Sequence, residues 1–136
     1  MERKKRIMVV DDELGLLKMI QLVLIREGYE VEVFNDPQRA IDRICENPEN
    51  IDRPEFILTD LDLGKGYTGI KIIQVAREFW NDIPAAIMSG GFPSASEEGC
   101  RRLTPYILLK PFILQELTDF VQNAMVDALA HTSPKI

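Results

Sequence analysis

Short apolar runs alternate along this chain with longer stretches whose apolar residues return every three or four positions, and that alternation restricts the fold more than any other feature. Arg6 to Val10 reads as a buried strand. From Glu13 to Glu27, Leu17, Ile20, Val23 and Leu24 keep a helical period, and Gly28 ends it as a helix C-cap does. Glu30 to Phe34 alternates strictly, as a half-exposed edge strand should. Asp36-Pro37 predicts an N-cap followed by proline at the first helical position, opening a helix through Ala40, Ile41, Ile44 and Cys45. A loop over Asn47 to Pro54 leads to a third strand, Phe56 to Thr59. After a glycine-containing loop, Ile70, Ile73 and Ala76 predict a third helix ending near Trp80, and Ala85 to Met88 a fourth strand. Ser94-Ala95-Ser96-Glu97 has the capping-box pattern, but Gly99 interrupts the stretch to Arg102, so this fourth helix is expected to be short and marginal. Tyr106 to Leu109 is a fifth strand that Pro111 breaks, and Leu114, Leu117, Phe120, Val121, Ala124 and Met125 give an amphipathic last helix.

Five strands alternating with five helices predict an α/β fold: a doubly wound parallel sheet with helices on both faces and ligands beyond the carboxyl ends of the strands. At 136 residues the chain is one domain's length, read as a single domain over 1–136 with a core of about 6–126 and a tail of 127–136. A net charge of −6 disfavours direct nucleic-acid binding, which needs a clustered basic surface. The one basic run, Arg3 to Arg6, is read as a solvated lead-in to the first strand. Leu14 to Ile25 contains Lys18 and Gln21 and is too short and polar to span a bilayer, so no membrane role is expected and the cytoplasm is the default. Cys45 and Cys100 read as free thiols, and His131, in a polar tail, as incidental.

Function is therefore sought at the strand ends. Strand one ends in Asp11-Asp12, strand three in Asp60, strand four in Ser89, and strand five in Lys110-Pro111. Parallel topology alone brings residues so far apart in sequence to one rim. Three clustered carboxylates repel and raise one another's pKa, and a hard divalent cation relieves them. Three aspartates, one Mg2+ and Lys110 balance in charge and suit phosphoryl chemistry. With no histidine or cysteine there, the nucleophile is a carboxylate or Ser89, and Asp60 is the better choice because carboxylates form aspartyl-phosphates at a metal-charged centre. Lys110 would neutralise phosphoryl oxygens and Ser89 donate a hydrogen bond to one of them.

At these residues the chain resembles the receiver domain of two-component response regulators, and in particular its chemotaxis-regulator-like members. The resemblance runs from Ile7 to about Met125 and rests on MVVDD, ILTDLDL, IMSGG and LLKPF. It implies the flavodoxin-like strand order 2-1-3-4-5. It also implies Asp60 as phosphoacceptor, Asp12, Asp60 and the Asp62 backbone carbonyl as Mg2+ ligands, and Asp11 acting through a water. Ser89 and Lys110 would contact the phosphoryl group, with Pro111 as the cis-proline of the family's Lys-Pro element. The implied partners are a sensor histidine kinase or histidine phosphotransfer protein, an output partner whose kind the residues do not indicate, and a weak homodimer. Such a domain is a regulatory phosphoacceptor, not a turnover enzyme, although it catalyses its own phosphorylation and hydrolysis. The sequence also departs from the family. Gly64 stands where the family has proline, and Gly69 lies nine residues after Asp60 instead of eight, so the intervening loop is longer by one. Ile107 occupies the aromatic switch position, with Tyr106 one residue earlier and so on the other face of the strand. Mobility of Ser89-Gly90-Gly91 and the fourth helix is the expected substitute.

Other readings compete. Asp12 alone reads equally as a cap for the first helix. Gly64 to Gly69 spells G-x-G-x-x-G, the signature of a dinucleotide site, but it follows the third strand and brings Asp60 and Asp62 against a pyrophosphate. Asp60-Leu61-Asp62 is similar to the nucleophile motif of haloacid-dehalogenase phosphatases, in which the acidic pair comes after it and not before. A degenerate receiver that only binds partners is the remaining alternative.

Overall fold

The computed structural model describes residues 3–46, 52–91 and 94–131. Strands and helices alternate as β1 (Arg6–Val10), α1 (Leu14–Arg26), β2 (Glu30–Phe34), α2 (Pro37–Glu46), β3 (Phe56–Asp60), α3 (Gly69–Phe79), β4 (Ala85–Ser89), α4 (Ser94–Leu103), β5 (Ile107–Leu109) and α5 (Leu114–His131). The strands pair in parallel in the order β2-β1-β3-β4-β5, the order expected. Alternate strand residues supply two separate cores. Met8, Val10, Ile57 and Ile87 pack with Ala40, Ile44, Ile72, Ile73 and Ala76 of α2 and α3. Ile7, Val9, Leu58 and Met88 pack with Leu17, Ile20, Leu24, Leu117 and Val121 of α1 and α5. Helix-covered β3 and β4 are buried at every position, whereas edge strand β2 is half-exposed, which is why only β2 shows an alternating sequence.

Boundaries differ from expectation where tertiary bonds reach past the local pattern. β3 and β4 run one residue further, to Asp60 and Ser89. β5 begins at Ile107, because the N–H of Tyr106 is turned to Thr104 Oγ1 (3.0 Å). The fourth helix is a full ten residues, with Cys100 buried and the pairs Glu97–Arg101 and Glu98–Arg102 along its surface. α5 runs past 126 to His131, because Ala128 is buried and Tyr106 donates its hydroxyl proton to Asp127; the expected tail from 127 is thus helical as far as it is described. Residues 47–51 of the expected second loop and 132–136 of the expected tail lie outside the described residues. Arg3, Lys4 and Lys5 of the basic run are exposed, as expected of a solvated lead-in, with Arg3 and Lys5 also paired to Glu55 and Arg6 to Glu30. Cys45 is exposed, and both cysteines are free thiols. No helix among the described residues is long and apolar enough to cross a membrane.

Candidate functional site

The carboxyl ends of β1, β3 and β5 bring four of the singled-out residues together. Asp11 is fully buried just beyond β1. Its Oδ1 accepts from the N–H of Glu13 (2.9 Å), and its Oδ2 accepts from Lys110 Nζ (3.0 Å) across 99 positions of sequence. Asp60 closes β3 with its Oδ2 3.3 Å from the same ammonium, and one oxygen each from Asp11, Asp12 and Asp60 lies within 4.8 Å of the other two. Lys110 is held by its own backbone, whose N–H extends the ladder to Ser89 O (2.7 Å) ahead of a cis bond to Pro111. Asp12 does not cap α1; the N-cap position is Glu13, which makes no side-chain capping bond, so Asp12 is exposed at the rim with no structural task there.

Burial, then the charge of Asp11 and more weakly that of Asp12, push the Asp60 carboxyl up to about 6 against the pull of Lys110. For Lys110 burial acts downward, but the hydrogen bond and charge of Asp11, with those of Asp60, outweigh it and raise the pKa, so the ammonium stays protonated. One ammonium thus meets two of the three clustered carboxylates. Oxygen-only donors with a surplus of negative charge are what a hard divalent cation requires, so the residues fit Mg2+.

Asp62 stands apart, its exposed side chain accepting from Gly64 N (3.1 Å) instead of joining the cluster. Its backbone is differently placed. Asp62 and Thr68 form an isolated antiparallel bridge whose hydrogen bonds are Leu63 N to Tyr67 O and Gly69 N to Leu61 O. The ladder therefore leaves the Asp62 carbonyl unused. Ser89 is buried at the end of β4, with its hydroxyl donating to Gly91 O (2.9 Å) and accepting from Gly91 N (3.1 Å). Asp60, Asp62, Ser89, Gly90 and Gly91 share the wall of an open cleft of about 470 Å³. Tyr106, just before β5, and Ile107 lie outside it on opposite faces of the sheet, Tyr106 toward α5 and Ile107 toward the α2–α3 core.

The family described as the response regulator receiver domain matches residues 7–122. This chain belongs to the response regulator receiver domains. Among curated relatives, the response regulator MprA of Mycolicibacterium vanbaalenii is 30% identical over 114 residues, 82% of this chain and 46% of that protein. The DNA-binding response regulator MtrA of Mycolicibacterium paratuberculosis is 36% identical over 74 residues, 54% of this chain and 30% of that protein. The chain thus spans less than half the length of these relatives. A CheY-like receiver domain protein from Methanospirillum hungatei superposes with a TM-score of 0.82 at 18% identity, over 95% of this chain and 99% of the other. The N-terminal domain of a response regulator/sensory box/GGDEF three-domain protein from Carboxydothermus hydrogenoformans does so with 0.80 at 25%, over 95% and 100%.

A receiver domain is the phosphoryl-accepting switch of two-component signalling, and its acidic pocket is here the cluster of Asp11, Asp12 and Asp60. The departures of this receiver's β3–α3 loop have a physical account. Tyr67 N donates to Gly64 O (2.9 Å) around Lys65 (φ 53) and Gly66 (φ 83), a type I′ turn. The glycine-rich stretch is a hairpin tip, not a phosphate-binding loop. The hairpin absorbs the additional residue, and Gly69 keeps the close approach, since a Cβ there would lie against Asp60 O and 2.9 Å from Thr59 Cγ2. Sequence reasoning missed the aromatic of this loop. Tyr67 packs on the α2–α3 core and donates its hydroxyl proton to Gln38 Oε1 of α2 (2.6 Å), a contact with no local sequence signal.

Proposed function

We propose that this receiver accepts a phosphoryl group on Asp60, with Mg2+ held by Asp12, Asp60 and the Asp62 carbonyl and with Asp11 one water further out. The carrying observation is that Lys110 Nζ bridges Asp11 and Asp60, at 3.0 and 3.3 Å, at the only carboxylate trio of metal-site spacing among the described residues. When bound, the metal neutralises phosphoryl oxygens beside the acceptor. An Asp60 oxygen attacks phosphorus, the P–N bond of a donor phosphohistidine breaks, and its electron pair returns to the imidazole, which takes up a proton. Lys110 exchanges part of its hold on Asp60 for a phosphoryl oxygen, and Ser89 leaves the Gly91 carbonyl to donate to another. Release of that bond leaves the Ser89-Gly90-Gly91 segment free to rearrange.

The donor is a sensor histidine kinase or a histidine phosphotransfer protein in the cytoplasm, and the domain acts as a regulatory phosphoacceptor instead of turning over an external substrate. Incubation with acetyl phosphate and Mg2+ followed by intact-mass measurement should add one phosphoryl group to wild type and none to Asp60→Asn. Wild type that stays unmodified, and shows no response to beryllium fluoride, would make this a binding-only receiver. Catalytic phosphate release from small esters would point to a phosphatase instead.

A further inference from the structure

The hairpin between β3 and α3 carries a tether that phosphoryl acceptance does not account for. One of its strands presents the Asp62 carbonyl, free of the ladder. Its turn passes the exposed Asp12 at ordinary contact range, where a Cβ on Gly64 would stand 3.5 Å from Asp12 Oδ2. The other strand ends at Tyr67, whose half-buried ring rests on the core and whose hydroxyl is bonded to Gln38, 29 positions back on α2. A hairpin with one bridge at its base is too small to be rigid alone, so its placement depends on this outside anchor.

We propose that Tyr67 is a positioning residue for the metal: anchored on Gln38, it fixes the hairpin strand that offers the Asp62 carbonyl. The inference rests on the reading of Asp12, Asp60 and Asp62 as the Mg2+ site. Coupling of this kind is reciprocal, so whatever the Tyr67–Gln38 bond contributes to metal binding, the metal returns to the bond. α2 therefore registers occupancy of the site, on the face of the domain opposite α1 and α5. No aromatic at position 107 is needed for that route, and Ile107, lacking a polar tip, has no hydrogen bond to exchange.

Calorimetric titration with Mg2+ alone would be run on wild type, Tyr67→Phe, Gln38→Ala, the double variant and Asp12→Asn, with thermal unfolding in EDTA and hydrogen exchange over 37–46 alongside. The expectation is Mg2+ binding weakened roughly five- to tenfold in either tether variant and no further in the double variant, with unfolding in EDTA unchanged. Mg2+ should raise α2 protection in wild type but not in Tyr67→Phe. An unchanged Mg2+ affinity in Tyr67→Phe, or an equal rise in α2 protection, would overturn the proposal, as would a loss of stability in EDTA with affinity intact. Failure of the underlying metal site looks different: wild type would not bind Mg2+, or Asp12→Asn would bind as wild type does, and both readings would fall together.

Discussion

Asp60 sits where burial and a neighbouring carboxylate oppose its negative charge. An unfolded chain would titrate it near 3.8, whereas the fold pushes it to about 6. Between those values the folded protein keeps a proton that the unfolded chain has lost, so the stabilising contribution of the neutral carboxyl is complete below about pH 4 and lost as pH rises through about 6. Ionised Asp60 then costs the metal-free fold on the order of 1–3 kcal/mol, since a tenfold change in proton affinity is worth ~1.4 kcal/mol and partial exposure to water lowers the sum. Asp60→Asn removes the charge and keeps the shape. In EDTA at pH 8 it should be more stable than wild type by about 1–3 kcal/mol in urea unfolding, with the gap closing toward pH 4 and on adding Mg2+. Wild type as stable as the variant at pH 8 in EDTA would mean that Lys110 already compensates the charge. The carboxylates themselves were legible because each ends an apolar run. Whether Asp12 also caps α1 was not, since an aspartate before a helix reads as a cap until Glu13 is seen at the N-cap position.

Among the elements, α3 and its lead-in diverge most from what local sequence conveys. Periodicity identifies the helix through Ile73 and Ala76, yet its closeness to β3 depends on Gly69, where a methyl group would strike Asp60 O and Thr59 Cγ2. Gly69→Ala should therefore cost about 1–3 kcal/mol in urea unfolding by overpacking. Gly15→Ala, in the exposed first turn of α1 with nothing within 4 Å, should instead add about 0.5–1 kcal/mol through helix propensity. Equal effects at the two sites would refute the close-approach account. The hairpin before α3 is hard to read for a related reason. Its glycines serve positive φ at the tip and close packing at the base, and a string of glycines does not say which task each one has. α4 posed the opposite problem: Gly99 lowers its local propensity, but burial of Cys100 against the core completes the helix.

Across the whole molecule, the sheet order places residues from the first and last strands against the same centre, and Lys110 is the bond between them. Alternation of strand and helix patterns made the topology legible, and the topology located the site, but neither could show that a single ammonium would bridge two carboxylates with Asp11 fully enclosed. That enclosure makes Lys110 a stability residue as well as the proposed phosphoryl ligand. Lys110→Met keeps much of the apolar stem but leaves Asp11 buried beside Asp60 without a counter-charge, a situation that typically costs about 3–5 kcal/mol when a buried pair is broken. Lys110 retains some exposure and Asp60, already raised to about 6, can take up a proton, so the expected loss in EDTA at pH 8 is nearer about 2–3 kcal/mol. Mg2+ bound as proposed would supply the missing positive charge at the same carboxylates, so it should restore most of that stability and raise the melting temperature of Lys110→Met more than that of wild type. Calorimetry of both proteins with and without Mg2+ distinguishes this from loss of the packed stem, which no cation would repair. Equal Mg2+ responses would place the cation away from the Lys110 centre and detach the stability of β5 from the chemistry of β1 and β3.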